Sequence, residues 1–456
     1  MSETSNFIFN LMPTLFIWLL GLVFAVVILT FIFDISQSKN AILRNYPVVG
    51  HFRYLFSTLG EFFRQYFFAM DREEMPFNRA ERQWVNRASE NKSNTIAFGS
   101  TKNINTPGTA IFINCPFPTL DSDAVETKTV IIGEGYSSNP YAAKSIFNIS
   151  GMSFGAISKL AVLALSNGAR MAGCWMNTGE GGISPYHLEG GADLVFQIGT
   201  AKYGVRNDDG SLSDEKLANI ATRDQVKMFE LKVSQGAKPG KGGILPGIKV
   251  TKQISEIRGI PKGEDSISPN RHVEVSNASE LLDMINHVRE VTQKPVGFKT
   301  VIGHIRWLEA LLEEVNKRGK DSAPDFITVD GGDGGTGAAP MALMDSMGLP
   351  LKEALPLVVD KIMQCGLEDR IKVVASGKMI TPSDVAWAIC AGADFVTSAR
   401  GFMFAIGCIQ SLKCNKNTCP TVITTHNKRL QKGLNPKSKS IKVKNYIFCS
   451  SGDALD

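Results

Sequence analysis

The sequence predicts an α/β protein: a closed eight-stranded (β/α)8 barrel of the TIM type, preceded by an N-terminal transmembrane helix. Three observations predict it. Eight short apolar runs recur between residues 147 and 398, and most of them end in glycine. Amphipathic stretches of helical period lie between several of these runs. Near the start, residues 11–33 (LMPTLFIWLLGLVFAVVILTFIF) contain no charge.

The uncharged stretch is long enough for a hydrocarbon core, which needs roughly 20 residues. A signal peptide fits it less well, because the residues before it include only Glu3 as a charge and no small-residue cleavage site follows. Lys39, Arg44, Arg53 and Arg64 come after it, so the positive-inside rule puts the bulk of the chain in the cytoplasm as a single-pass membrane protein. Residues 37–90 are rich in aromatics and arginine, with Arg53, Tyr54, Phe56, Phe62, Phe63, Tyr66, Phe67 and Phe68 at roughly helical spacing. They read as a juxtamembrane helix. Residues 101–144 resemble a few short strands and turns. The expected organisation is an anchor over 1–36, a juxtamembrane and lead-in region over 37–144, the barrel with a cysteine cluster over 145–425, and a tail over 426–456.

The barrel strands follow in order. Residues 147–150 run into the loop Gly151-Met152-Ser153-Phe154-Gly155 and a helical stretch over 156–172. Residues 174–177 lead to Thr178-Gly179-Glu180, 194–198 to Gly199, 229–234 to a loop with four glycines and two lysines after Gln235, and 296–301 to Gly303. The sixth run is FITVDGGDGGTGAAP, residues 326–340, with five glycines among positions 331–337. Residues 371–375 and 395–398 complete the set. Helices are expected over 278–292, 307–318 and 352–365. Eight such units in about 260 residues match this barrel in number and length, and its site is built from loops at the strands' C-terminal ends.

Composition bounds the chemistry. The 456 residues are 43% hydrophobic and 20% charged, as in a globular protein with a substantial core. A formal charge of +5 without a basic, aromatic-interleaved stripe implies no nucleic acid. The eight cysteines form no secreted disulfide framework and suit a reducing compartment.

Some polar residues interrupt the apolar runs. Lys232 and Lys299 sit inside the fourth and fifth strands, where an ammonium needs a partner or an opening to the barrel mouth. The loops after strands seven and eight are the usual phosphate site of these barrels. Gly377 offers backbone donors in one, and Ala399, Arg400 and Gly401 in the other. Cys408, Cys414 and Cys419 (CIQSLKCNKNTCP) follow the last strand. Three thiols leave a zinc site one ligand short unless His426 joins, and leave a cubane cluster one thiolate short, so a three-iron cluster suits the count. Unliganded thiols are the third possibility.

Residues 149–425 carry GMSFGA at 151–156, TGEGG at 178–182, K-x-x-QGAKPGKGG from 232 to 243, ISP at 267–269, DGGTGAAP at 333–340 and GCIQSLKCNKNTCP at 407–420. This collinear series resembles the FMN-binding synthase domain of glutamate synthase, and the N-terminal anchor resembles that family's short, membrane-tethered branch. The resemblance implies reductive amination of 2-oxoglutarate with ammonia to L-glutamate through FMN. Electrons would reach the flavin through a [3Fe–4S] cluster on Cys408, Cys414 and Cys419, from ferredoxin or another reductase. It implies Lys232, Gln235, Glu180 and Arg258 on the substrate side. It also implies Gly151, Met152, Ser153, Gly155, Gln197, Lys299, Gly331, Gly335, Gly377, Arg400 and Gly401 around the FMN, with Lys299 near the flavin N1 and C2 carbonyl.

The sequence departs from the family in places. No amidotransferase stretch precedes the barrel, so ammonia is expected to come free or from a separate glutaminase subunit. No dinucleotide-binding stretch follows, so direct use of NADPH is not expected. Ala375-Ser376-Gly377 stands where the family has an acidic DGG, and Gly181 follows Glu180 where the family often has another acidic residue. Two alternatives accompany the main reading: an FMN oxidoreductase acting on a different oxo or imino acid, and a membrane-tethered electron-transfer subunit. The histidines at 51, 187, 272, 287, 304 and 426 are expected mostly on the surface or in loops.

Overall fold

The structure, a computed structural model, describes residues 3–123, 125, 129–236, 238–334, 336–337 and 339–455. The chain divides into two compact units, Met1–Arg79 and Ala80–Asp456. In the first, Glu3–Ser36 is one continuous helix. Its segment Leu11–Ser36 is long and apolar enough to cross a bilayer. The helices Ala41–Asn45 and Val49–Phe63 follow, and the expected juxtamembrane helix is therefore broken. The break has a polar core: Asp34 accepts the backbone N–H of Val48 at 2.8 Å and pairs with His51 Nε2 at 3.0 Å.

The second unit is the predicted barrel. Its strands are β1 Phe147–Ile149, β2 Trp175–Asn177, β3 Asp193–Ile198, β4 Val226–Lys232, β5 Val296–Val301, β6 Phe326–Asp330, β7 Lys372–Ser376 and β8 Phe395–Ser398. They close into one barrel in sequence order, every pair parallel, with β8 returning to β1. Val, Ile and Phe dominate the strands because residues buried on both faces need apolar, β-compatible side chains. The helices Ala278–Thr292, Arg306–Arg318 and Leu351–Gln364 lie within a residue or two of their expected bounds. Each presents a buried aliphatic stripe, such as Leu308, Leu311, Leu312 and Val315.

The barrel interior is layered along the strand direction. At the N-terminal end, Trp175, Val195, Met228, Phe326, Val374 and Phe395 form an apolar floor. A two-stranded antiparallel ribbon, Val130–Ile132 with Tyr141–Ala143, adds Ile132, Tyr141 and Ala143 to that floor. The end of the lead-in region thus closes the floor of the barrel. Two residues further along the strands the interior turns polar, and at the mouth it becomes charged.

The segment expected as a tail contains a 20-residue helix, Pro436–Leu455. Tyr446 packs edge-on against Phe147 and Phe402 and donates its hydroxyl to the Ile380 carbonyl at 2.8 Å. A side chain at Gly168, on helix Lys159–Ala172, would collide with Val443, so glycine lets the two helices approach. The helix covers the outside of the barrel beside β1 and β8.

Candidate active site

The loops at the strands' C-terminal ends enclose a cavity of about 230 Å³, and the two lysines read from the sequence face it. Lys232 and Lys299 end up as register partners on β4 and β5. Each meets its own carboxylate. Glu180, from the loop after β2, accepts from Lys232 Nζ at 3.1 Å, and its two oxygens accept from Gln235 Nε2 at 2.8 Å. Lys232 also donates to Gln235 Oε1 at 3.1 Å, which closes a three-residue ring. Burial opposes the charge on Glu180, but Lys232 and the hydrogen bonds from Gln235 and Lys232 outweigh it, holding the carboxyl below its ordinary value.

Arg258 stands on the same side. It is 6% exposed, and its guanidinium lies 5.1 Å from the Tyr203 ring centre. Nη1 donates to Ser266 Oγ at 3.0 Å and Nη2 to the Phe154 carbonyl at 3.3 Å, while Nε is buried without a partner among the described residues. Glu180, Lys232, Gln235 and Arg258 all line the cavity, so the four residues expected on the substrate side converge.

The second cluster surrounds Lys299, whose Nζ lies 3.3 Å from Asp330 Oδ2 and donates to Ser150 Oγ at 3.3 Å and Ser376 Oγ at 3.2 Å. Ser376 in turn donates to Asp330 Oδ1 at 2.9 Å. The acidic partner missing after β7 is therefore supplied from the end of β6, and Ser376 bridges it to the lysine. Gly377, at φ 134°, packs against the Gly331 backbone; no other residue adopts that conformation without strain.

Below both clusters lies a buried polar layer. Glu230 on β4 accepts from Asn177 Nδ2 at 2.8 Å, Gln197 Nε2 at 2.6 Å and Thr328 Oγ1 at 2.6 Å. Asn177 Oδ1 accepts the Gly179 backbone N–H at 2.9 Å. Gly179 takes φ 65° where a side chain would strike the Ser153 backbone, so the loops after β1 and β2 can lie in contact.

Of the residues expected around the flavin, Gly151, Met152, Ser153, Gln197, Lys299, Gly377 and Arg400 line the cavity. Gly331 lines a smaller neighbouring cavity of about 60 Å³ and donates its N–H to the Ser376 carbonyl at 2.7 Å. Gly155 and Gly401 do not line the main cavity. Gly155 donates to the Ile157 carbonyl, and Gly401 donates to Ser398 Oγ at 3.2 Å with Tyr446 packed where its side chain would stand. Local backbone and helix packing use those two glycines. Gly335 lies outside the described residues.

Arg400 reaches the thiol segment as well as the glycine loop. Nη2 donates to the Thr336 carbonyl at 2.7 Å, and Nη1 lies 3.3 Å from Met403 Sδ and 3.9 Å from Cys414 Sγ. Cys408, Cys414 and Cys419 are all free, and Cys414 lines the cavity. Among the described residues no three His, Cys, Asp or Glu side chains are close enough to hold one metal ion. His426 does not complete a zinc set here; its Nε2 bonds to the Gly155 carbonyl at 2.8 Å. Lys249, 2% exposed, donates to the Cys414 carbonyl at 3.1 Å and to the Ala156 carbonyl at 2.7 Å, tying the thiol segment to the β1 loop.

Most of the histidines lie on the surface or in loops, but His187 and His272 are buried, with Nε2 of the first and Nδ1 of the second unpartnered among the described residues. Burial lowers their pKa values to about 3 and about 4. Sequence reasoning also missed Glu230, Asp330, Ser150, Ser376 and Tyr203. The signal available for Glu230 and Asp330 was a lone carboxylate inside an apolar run, the same signal that marked the two lysines.

A family described as the conserved region in glutamate synthase matches residues 87–455. The Glutamate synthase large subunit-like protein YerD of Bacillus subtilis is 41% identical, over 92% of this chain and 86% of its own length. The Archaeal glutamate synthase [NADPH] of Methanocaldococcus jannaschii is 35% identical over 66% of this chain. The Archaeal-type glutamate synthase [NADPH] of Thermotoga maritima is 33% identical over 65%. The chain spans 55%, about half, of the length of each of these two enzymes.

Proposed function

The chain belongs to the glutamate synthase family, and from that premise we propose that it is an FMN-dependent oxidoreductase that reductively aminates 2-oxoglutarate to L-glutamate. The observation that carries the reading is the convergence of Lys232, Arg258, Gln235 and Glu180 on a cavity that Lys299 also lines. A dicarboxylate substrate needs cations, and a buried guanidinium with an ammonium nearby supplies them. Glu180 holds Lys232 in place until a substrate carboxylate competes for it. Once released, Glu180 can accept a proton from ammonium, and that proton must leave before nitrogen attacks the ketone.

FMN, when bound, supplies the two-electron reduction of the resulting imine. The residues present fit it. Gly151 lies close against the Asn177 and Gln197 amides, and a Cβ there would come within 3.3 Å of Asn177 Oδ1 and both Gln197 amide heteroatoms, so glycine keeps that amide uncovered. Met152, Ser153, Gly377 and Arg400 line the same space. Lys299 would offer a positive charge that stabilises the reduced flavin. Gly377 with Lys378, Ala399 and Arg400 would hold the phosphate.

Cys408, Cys414 and Cys419 would hold the [3Fe–4S] cluster, which supplies one-electron relay when bound. The fit lies in the donor set: three free thiols on one segment, with Cys414 at the cavity wall and Arg400 beside it. One ion with bonds of about 2.3 Å would need the thiols closer together than a polynuclear cluster does. Ferredoxin or another reductase would feed the cluster, and ammonia would come free or from a separate glutaminase subunit. The helix Leu11–Ser36 would anchor the protein in a membrane with the barrel in the cytoplasm.

The test is steady-state turnover of the purified full chain with an artificial reductant, ammonium and a panel of oxo acids. Glutamate formation from 2-oxoglutarate, faster than amination of pyruvate or oxaloacetate, is the expected result. Preference for another oxo acid would overturn the substrate assignment.

A further inference from the structure

We propose that Glu230 is a positioning residue that fixes the side-chain amide of Gln197, so that this wall of the cavity presents a hydrogen-bond acceptor to an N–H of the bound heterocycle. The inference rests on the FMN reading above, and the N–H it selects is the imide N3–H of the flavin.

The orientation follows from the network. Gly179 is an obligatory backbone donor, and its N–H goes to Asn177 Oδ1 at 2.9 Å. The Asn177 amide can therefore be placed only one way, with Nδ2 donating to Glu230 Oε1 at 2.8 Å. The same Glu230 oxygen lies 2.6 Å from the Gln197 amide. A carboxylate only accepts, so the group facing it must be Nε2. Turning the amide over would set two acceptor oxygens against each other at that distance. Thr328 holds the second Glu230 oxygen at 2.6 Å, so the carboxylate cannot rotate away.

What remains of Gln197 is its Oε1. Among the described residues no hydrogen bond engages it, and Gln197 borders the cavity beside Gly151. An acceptor at the cavity wall is open to a ligand donor, which would replace solvent there. Glu230 itself lies beneath the main cavity and is 3% exposed, so it acts through Gln197.

The experiment compares FMN with N3-methyl-FMN, which cannot donate at that position, on the full-length protein stripped of flavin. Wild type should bind the methylated flavin about tenfold or more weakly. In Glu230→Gln the new amide can donate to Gln197, whose carbonyl then turns inward, and the methylation penalty should fall several-fold. Gln197→Met should lose the penalty with the Glu230 site intact, and it serves alone if Glu230→Gln does not fold. A penalty of the same size in wild type and in a folded variant would show a purely structural role and overturn the inference. Failure of wild type to bind FMN at all would instead overturn the flavin reading, and the inference with it.

Discussion

Lys232 and Lys299 are register partners on adjacent strands, yet they answer to different carboxylates, Glu180 at 3.1 Å and Asp330 at 3.3 Å. Two ammonium groups at one level of a barrel mouth repel, and each local acid offsets that repulsion. On the proposed function, Lys232 serves the substrate and Lys299 the cofactor, and this can be tested by removing one lysine at a time. Lys232→Met should raise KM for 2-oxoglutarate about tenfold or more while leaving the flavin potential near its original value. Lys299→Met should lower the flavin midpoint potential, by about 30 mV for each 1.4 kcal/mol of lost stabilisation of the reduced form. Spectroelectrochemical titration beside steady-state kinetics separates the two. Exchanged effects would refute the division.

Gly297 on β5 packs directly against β6. A Cβ there would overlap the Phe326 carbonyl and ring on β6. Gly297→Ala should destabilise the barrel by about 1–3 kcal/mol or prevent its closure. Chemical denaturation followed by tryptophan fluorescence measures it, since Trp175 lies in the floor that Phe326 shares.

How far the sequence could be read follows from these positions. The eight strands were legible because each is a short apolar run stopped by glycine, a pattern that survives without any long-range information. Lys232 and Lys299 were legible because a charge inside such a run needs an explanation. Glu230 and Asp330 carry the same signal, but their partners come from other strands: Asn177, Gln197 and Thr328 for one, Lys299 and Ser376 for the other. Only closure brings those together. Gly401 misled because a glycine after the last strand suits a phosphate, whereas here it makes room for Tyr446. The helix carrying Tyr446 was hidden by lysines at 437, 439, 442 and 444, although Ser440, Val443, Tyr446 and Ile447 repeat at helical spacing and are buried.

Acid should weaken the fold through His187 and His272. Their folded pKa values, about 3 and about 4, lie below the ordinary 6.5 because burial disfavours the charged ring. The unfolded chain therefore binds more protons between those limits, and stability present above pH 6.5 is lost as the pH falls toward 4. Each ring contributes about 1.4 kcal/mol per pH unit in that window. Urea denaturation at stepped pH should show the slope, and because burial also lowers the His426 pKa to about 4, His187→Gln should reduce it by about a third. A flat profile between pH 6.5 and 4.5 would contradict the assignment.

The thiol segment makes a separable prediction. Cys414→Ser should abolish the three-iron EPR signal of the oxidised protein and slow electron entry, while FMN content stays near wild type because the glycines and cations proposed to hold the flavin lie in other loops. Parallel loss of flavin and iron would show that the segment supports the cavity as a whole.

The central claim is that this cavity passes reducing equivalents to an imine made from 2-oxoglutarate and ammonia. The most direct measurement is a single turnover: the full-length protein is photoreduced under anaerobic conditions and mixed with 2-oxoglutarate and ammonium. Flavin absorbance should return, and glutamate should form in proportion to the flavin reoxidised. A flavin that stays reduced with both present, or that reoxidises without glutamate, would contradict it.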